Sequence, residues 1–151
     1  MKIISSEIQN DAYNVSFGTG GLESINGVKI TNSILYFNSS QGYGQNSGAY
    51  IFRPNKTETE VINATPKVSI IKGTNVQEAT VTWGDWATQV YRLWANAPYV
   101  EVEWSVGPIP VKDKCDWNEK GCSWGKEVIS RYNADINSVD EQKRLDINRV
   151  E

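Results

Sequence analysis

The sequence predicts an all-β protein, an antiparallel β-sandwich, and three observations carry that expectation. Apolar residues recur with period two rather than with the 3.6 period of a helix. Gly and Pro break the chain roughly every ten residues, with β-branched and aromatic residues between the breaks. One segment sorts its side chains cleanly: Val100, Val102, Trp104 and Val106 fall on one face, and Tyr99, Glu101, Glu103 and Ser105 on the other. A strand packed on one side and wet on the other is the habit of antiparallel sheets, so the pattern puts Trp104 in the core.

The other elements follow in chain order. Tyr13, Val15 and Phe17 alternate with polar residues, and Gly18-Thr19-Gly20-Gly21 turns the chain. Apolar runs come next at Val28-Lys29-Ile30 and Ile34-Leu35-Tyr36-Phe37. Gln41–Gly48 has the composition of a flexible loop. Ala49-Tyr50-Ile51-Phe52-Arg53 reads as a strand stopped by Pro54, which has no N–H to give a ladder. Further strands are expected near Lys67–Lys72, Gln77–Trp83, Thr88–Trp94, Tyr99–Val106 and Lys126–Tyr132. The tail changes character. Ser138-Val139-Asp140-Glu141 has the form of a capping box, so 138–151 is either a short C-terminal helix or a frayed charged tail. The domain division is therefore a β segment over 1–137 and a divergent tail over 138–151.

Composition narrows the function. With 151 residues, 39% hydrophobic and 22% charged, the chain has the size of one domain. A net charge of -3 without a basic patch argues against nucleic acid as a partner. No run of 18 apolar residues is present for a membrane-spanning helix. Met1–Glu7 lacks the apolar stretch of a secretory signal. The absence of histidine removes imidazole bases and His-bearing zinc sites together.

Several residues invite a chemical reading, each beside a plainer one. Glu101 and Glu103 share a strand face with carboxylates on the order of 5–7 Å apart, near the separation of a retaining glycosidase pair. No apolar wall adjoins them in sequence to raise one pKa, and a solvated strand face is the default. Of the six tryptophans, Trp117 and Trp124 lie in or beside the segment bracketed by Cys115 and Cys122 and are candidates for stacking on sugar. The two cysteines either staple that loop, contributing about 2 kcal/mol, or stand as free thiols; spacing does not choose. Asn14, Asn38, Asn55 and Asn63 head N-glycosylation triplets, which matter only on the secretory route. There is no phosphate-binding loop: Trp124-Gly125-Lys126-Glu127 lacks the required Ser or Thr.

Three strings add a resemblance. Ser47-Gly48-Ala49-Tyr50-Ile51-Phe52-Arg53-Pro54-Asn55, Glu103-Trp104-Ser105-Val106-Gly107-Pro108-Ile109-Pro110-Val111 and Trp124-Gly125-Lys126-Glu127-Val128-Ile129-Ser130-Arg131-Tyr132 resemble, in order and spacing, the lysosomal-type class II α-mannosidases of glycoside hydrolase family 38. The likeness covers residues 10–135 and fades beyond. It implies a galactose-mutarotase-like sandwich from the half of the enzyme that follows the catalytic domain. It also implies retaining hydrolysis of α-linked mannose from N-glycans, with zinc held by two His and two Asp of an amino-terminal α/β barrel. With no histidine, these residues cannot supply that site, so the resemblance implies no catalytic residue and no cofactor in this chain. Its partners would be the catalytic domain and a mannose-containing glycan, and its compartment the lysosome or secretory route.

One residue's role carries across. The tyrosine of the family's Ser-Gly-Ala-Tyr motif reaches over the domain border to a mannose hydroxyl, and its match is Tyr50. A phenol that both donates and accepts suits that task; the alternative is a tyrosine capping the core. Two departures stand out. The Cys115–Cys122 loop lengthens a short family turn between Val111 and Trp124. The charged tail replaces an aromatic-Thr-Asp-Ser-Asn-Gly segment. The resemblance therefore implies a fragment of a mannosidase, with a free-standing glycan-binding module or a vestigial structural protein as the alternatives.

Overall fold

The structure, a computed structural model, describes residues 6–40, 47, 50–62, 64–109 and 125–136. All regular structure among them is β, in ten strands: β1 Ser6–Gln9, β2 Asn14–Gly18, β3 Gly21–Ile25, β4 Val28–Asn38, β5 Glu60–Val61, β6 Lys67–Lys72, β7 Val76–Trp83, β8 Ala87–Trp94, β9 Glu101–Val106 and β10 Lys126–Ala134. They form two antiparallel sheets. One runs β1-β2-β3-β4-β10 with β5 also paired to β4; the other is the meander β6-β7-β8-β9. The sandwich class is as the sequence predicts.

Local chemistry sets the turns. Asn26 and Gly27 both have positive φ, 49° and 77°, between the paired residues Ile25 and Val28. Asn and Gly are the residues that tolerate this primed two-residue turn, whose twist matches that of the strands it joins. At the other end of β3, the turn Thr19-Gly20 leads into Gly21 at φ 91°, packed near Val81 and Trp83 of the facing sheet. A side chain there would be strained by its backbone and pressed into the core.

The core lies between the sheets. Ile8, Val15, Phe17, Leu22 and Ile34 of the first meet Ala79, Val81, Trp83, Ala87, Tyr91 and Leu93 of the second. The Phe17 and Tyr91 rings meet edge to face across this gap, centroids 5.3 Å apart, a geometry that adds to simple burial. The alternation of β8 is nearly unbroken: Ala87, Gln89, Tyr91 and Leu93 point inward and are buried.

Two expectations are corrected. Residues 50–53 form no strand; the neighbouring Pro54 makes one isolated bridge to Ser39. A longer ladder is blocked because proline donates nothing. Second, the inner face of β9 is not sealed. Val102 and Trp104 stand opposite the buried Tyr91 and Gln89, so they point inward, yet they are 38% and 43% exposed. The reason is position: β9 is the edge of its sheet, β10 is an edge of the other, and no further strand among the described residues closes the mouth between them. Alternation reports the face, not whether anything covers it. β1 and β5 have no counterpart in the sequence reading, being short and polar. The tail from residue 138, with its helix candidate, lies outside the described residues.

Candidate functional site

Tyr50 is completely exposed, at 100% of its reference area. The chain around it is tied at its base. The Ser47 hydroxyl donates to the Arg53 carbonyl and accepts from the Arg53 N–H, both at 2.9 Å. Ser40 N–H donates to the same carbonyl at 2.6 Å, and Asn55 N–H to the Asn38 carbonyl at 2.9 Å. Tyr50 thus rides an arc whose foot is hydrogen-bonded to the end of β4, with its ring turned to solvent.

Beneath that arc lies a polar cluster the sequence reading missed. The Glu60 carboxylate accepts from Tyr36 Oη at 3.1 Å, Asn38 Nδ2 at 3.0 Å and Lys56 Nζ at 2.9 Å. The Lys56 contact first, then Tyr36, hold the Glu60 carboxyl below the usual carboxylate range against the desolvation that raises it. Burial, then the Glu60 contact, raises the Tyr36 phenol. Lys126 Nζ sits 5.2 Å from the Tyr36 ring centroid, and Trp86 meets that ring edge to face at 5.9 Å. Glu60 belongs to a two-residue strand in a polar stretch, where neither period two nor a motif signals its importance. The cluster anchors the foot of the arc and presents no reactive group.

Glu101 and Glu103 have a structural duty. Both carboxylates bind Arg92 Nη1, at 3.1 and 2.6 Å, and Glu78 takes Arg92 Nε from the other side. Glu101 also accepts from the Trp94 indole N–H at 3.0 Å. That bond first, then Arg92, lowers the Glu101 pKa, the reverse of what a general acid needs. Arg92, two strands' width of acidic partners around it, was invisible to linear reading because its partners come from β7 and β9.

The remaining candidates are scattered. Asn14 is half-buried in β2, its amide donating to Glu7 at 2.9 Å. Asn38 is engaged with Glu60, whereas the side chain of Asn55 is exposed. Asn63, Trp117, Trp124, Cys115 and Cys122 lie outside the described residues. Among the described residues no group of three or more His, Cys, Asp or Glu can hold a metal ion, and the chain contains no histidine. These residues do not fit the zinc centre that the resemblance implies for the whole enzyme. No helix among the described residues is long and apolar enough to cross a membrane.

The family model for the glycosyl hydrolases family 38 C-terminal domain matches residues 8–149, which takes in most of the charged tail. Lysosomal alpha-mannosidase of Mus musculus is 36% identical over 136 residues, covering 83% of this chain and 12% of that protein. Lysosomal alpha-mannosidase of Dictyostelium discoideum is 35% identical over 160 residues, covering 91% of this chain and 15% of its own length. Alpha-mannosidase of Canavalia ensiformis is 34% identical over 109 residues, 69% of this chain and 10% of that protein. The chain thus spans only about a tenth to a seventh of these relatives. With its paired antiparallel sheets and a profile match over nearly all its length, it belongs to the C-terminal domain family of the family 38 glycosyl hydrolases.

Proposed function

We propose that this chain is a non-catalytic β-domain segment of an α-mannosidase acting on α-mannosyl linkages of N-glycans. In this reading Tyr50 contributes one hydrogen bond to a sugar hydroxyl, in a pocket whose zinc and nucleophile belong to a catalytic domain outside these residues. The observation that carries it is the full exposure of Tyr50 on an arc fixed at its foot. Tethering at Ser47 and Arg53 limits the backbone freedom lost when Tyr50 meets a ligand. The open mouth at β9 and β10 supports the same reading: Val102, Trp104 and Tyr132 are exposed there, and such a seam suits burial by the rest of a longer polypeptide. Several relatives are named lysosomal alpha-mannosidases, which supports our assigning this chain to that route.

The test is reconstitution. Mixing the chain with the catalytic domain of a family relative is expected to raise hydrolysis of an aryl α-mannoside above that of the domain alone. Tyr50→Phe should lower the gain by roughly two- to tenfold, the worth of one neutral hydrogen bond. The chain alone should show no turnover. An unchanged rate on adding the chain would count against the assignment. A free-standing glycan-binding module is the second reading. It is favoured by the exposed aromatic side chains, and sugar affinity without any activity gain on mixing would support it.

A further inference from the structure

The turn from β8 to β9 borders an open, shallow cleft of about 470 Å³, within the roughly 300–1,000 Å³ range of small-molecule sites. Trp94 and Tyr99 stand at its wall, 43% and 54% exposed, and Asn75, Asn96 and Pro98 are among the other lining residues. Large aromatic side chains are ordinarily drawn into the interior, so two in one concave turn call for an explanation.

The turn is built to stay put. Asn10 Nδ2, from beyond β1, donates to the Trp94 carbonyl at 2.8 Å and the Ala97 carbonyl at 3.1 Å. Tyr13 Oη donates to the Pro98 carbonyl at 3.2 Å, and Ala95 N–H to the Asn75 carbonyl at 2.9 Å. The Trp94 indole is itself fixed by its N–H bond to Glu101. That bond first, and Arg92 second, hold the Glu101 carboxyl below the ordinary carboxylate range. The result is a preorganised aromatic wall whose ring need not be ordered on binding.

The lining also speaks to the ligand. It carries no Asp, Glu, Lys or Arg, which favours a neutral molecule. Indole and phenol faces suit the C–H face of a pyranose ring. The Asn75 and Asn96 amides each offer a donor and an acceptor, the complement of neighbouring hydroxyls. We infer that this cleft is a second carbohydrate site, taking one neutral pyranose residue between Trp94, Tyr99 and the two asparagines. It is separate from the Tyr50 arc. The Trp86–Tyr36 contact puts the start of β8 at the arc's end of the sandwich, and Trp94 lies at the far end of that strand, about 25 Å away at ~3.3 Å per residue. The inference does not depend on Tyr50 contacting substrate.

The test is a titration of the full chain with methyl α-D-mannopyranoside and, separately, methyl β-D-glucopyranoside, followed by amide and indole NMR resonances. Saturable shifts are expected at the Trp94 indole N–H and the Asn96 side-chain amide, with a millimolar Kd. Asn96→Ala, at an exposed turn position, should weaken binding by roughly three- to tenfold with an otherwise unchanged spectrum, the loss of one to two hydrogen bonds. Tyr99→Phe should bind nearly as the parent, and Tyr99→Ala markedly less. Tyr50→Phe should leave the Kd unaltered. The inference is overturned if neither glycoside produces saturable shifts at the cleft, if the shifts map to residues 50–55 instead, or if Asn96→Ala and Tyr99→Ala bind as the parent does. These outcomes are independent of the reconstitution assay, so either proposal can fail alone.

Discussion

Replacing Gln89 by leucine probes the joint that locks the two sheets together. Gln89 is fully buried in β8. Its Oε1 accepts from the Tyr91 hydroxyl at 3.1 Å, and its Nε2 donates to Ser130 Oγ of β10 at 2.7 Å. Asn32 of β4 donates to the same Ser130 oxygen at 2.9 Å, so the network joins three strands. Leucine removes the Gln89 acceptor and leaves the buried Tyr91 O–H only its contact with Tyr132 of β10, at a cost of about 1–3 kcal/mol. Ser130 keeps Asn32 and loses little. Removing the buried amide offsets part of the penalty, by about 1 kcal/mol. The net loss should be up to about 2 kcal/mol, a sizeable share of the 5–15 kcal/mol typical of a domain. Urea unfolding reads it directly: at a slope of about 2 kcal/mol/M the midpoint falls by up to roughly 1 M with the slope unchanged. The sharper expectation is non-additive. Adding Tyr91→Phe removes the hydroxyl that lost its Gln89 acceptor, so the double variant should recover part of the stability relative to Gln89→Leu, since stripping both partners is nearly neutral. If the two losses simply add, Tyr91 and Gln89 are not coupled as argued.

Further expectations follow from the same contacts. The exposed seam of Val102 and Trp104 should make the isolated chain self-associate as concentration rises; Trp104→Glu should leave it monomeric in sedimentation velocity, and equal association by both forms would exclude the seam as the cause. The Glu101 pKa is lowered in the fold by Trp94 and Arg92, so its stabilising contribution is present above the unfolded carboxyl pKa of about 4.3. It is lost as pH falls through the lower folded value. The difference in urea midpoint between parent and Glu101→Gln should therefore be flat from neutral pH to about pH 5 and shrink in stronger acid; a difference growing toward acid would contradict the contact. On expression through a glycosylating route, Asn55 should be occupied in preference to Asn14 and Asn38, whose amide nitrogens are engaged with Glu7 and Glu60. Mass spectrometry of Asn55→Gln should then show one glycan lost, and an unshifted mass would refute the ranking.

The strands and their faces were legible from residue order because alternation is a local property. β6 has the bounds its Val-Ser-Ile-Ile pattern predicts, and Tyr13, Val15 and Phe17 point where period two sends them. Family membership was legible too, because three motifs in fixed order are a property of the sequence alone. What neighbours do to a strand was not. Trp104 alternates like a core residue and is half-exposed because β9 is an edge, a fact set by the order of strands in the sheet. Gln89 reads as polar and is sealed in the core because Tyr91, Ser130 and the facing sheet satisfy it. The same holds for the clefts and clusters. Arg92 draws its acids from β7 and β9, Glu60 joins Tyr36 to Lys56, and Trp94 and Tyr99 share a wall only because β8 turns back into β9. Burial and pairing depend on which strands lie side by side, and long-range geometry of that kind is settled only when the chain closes on itself.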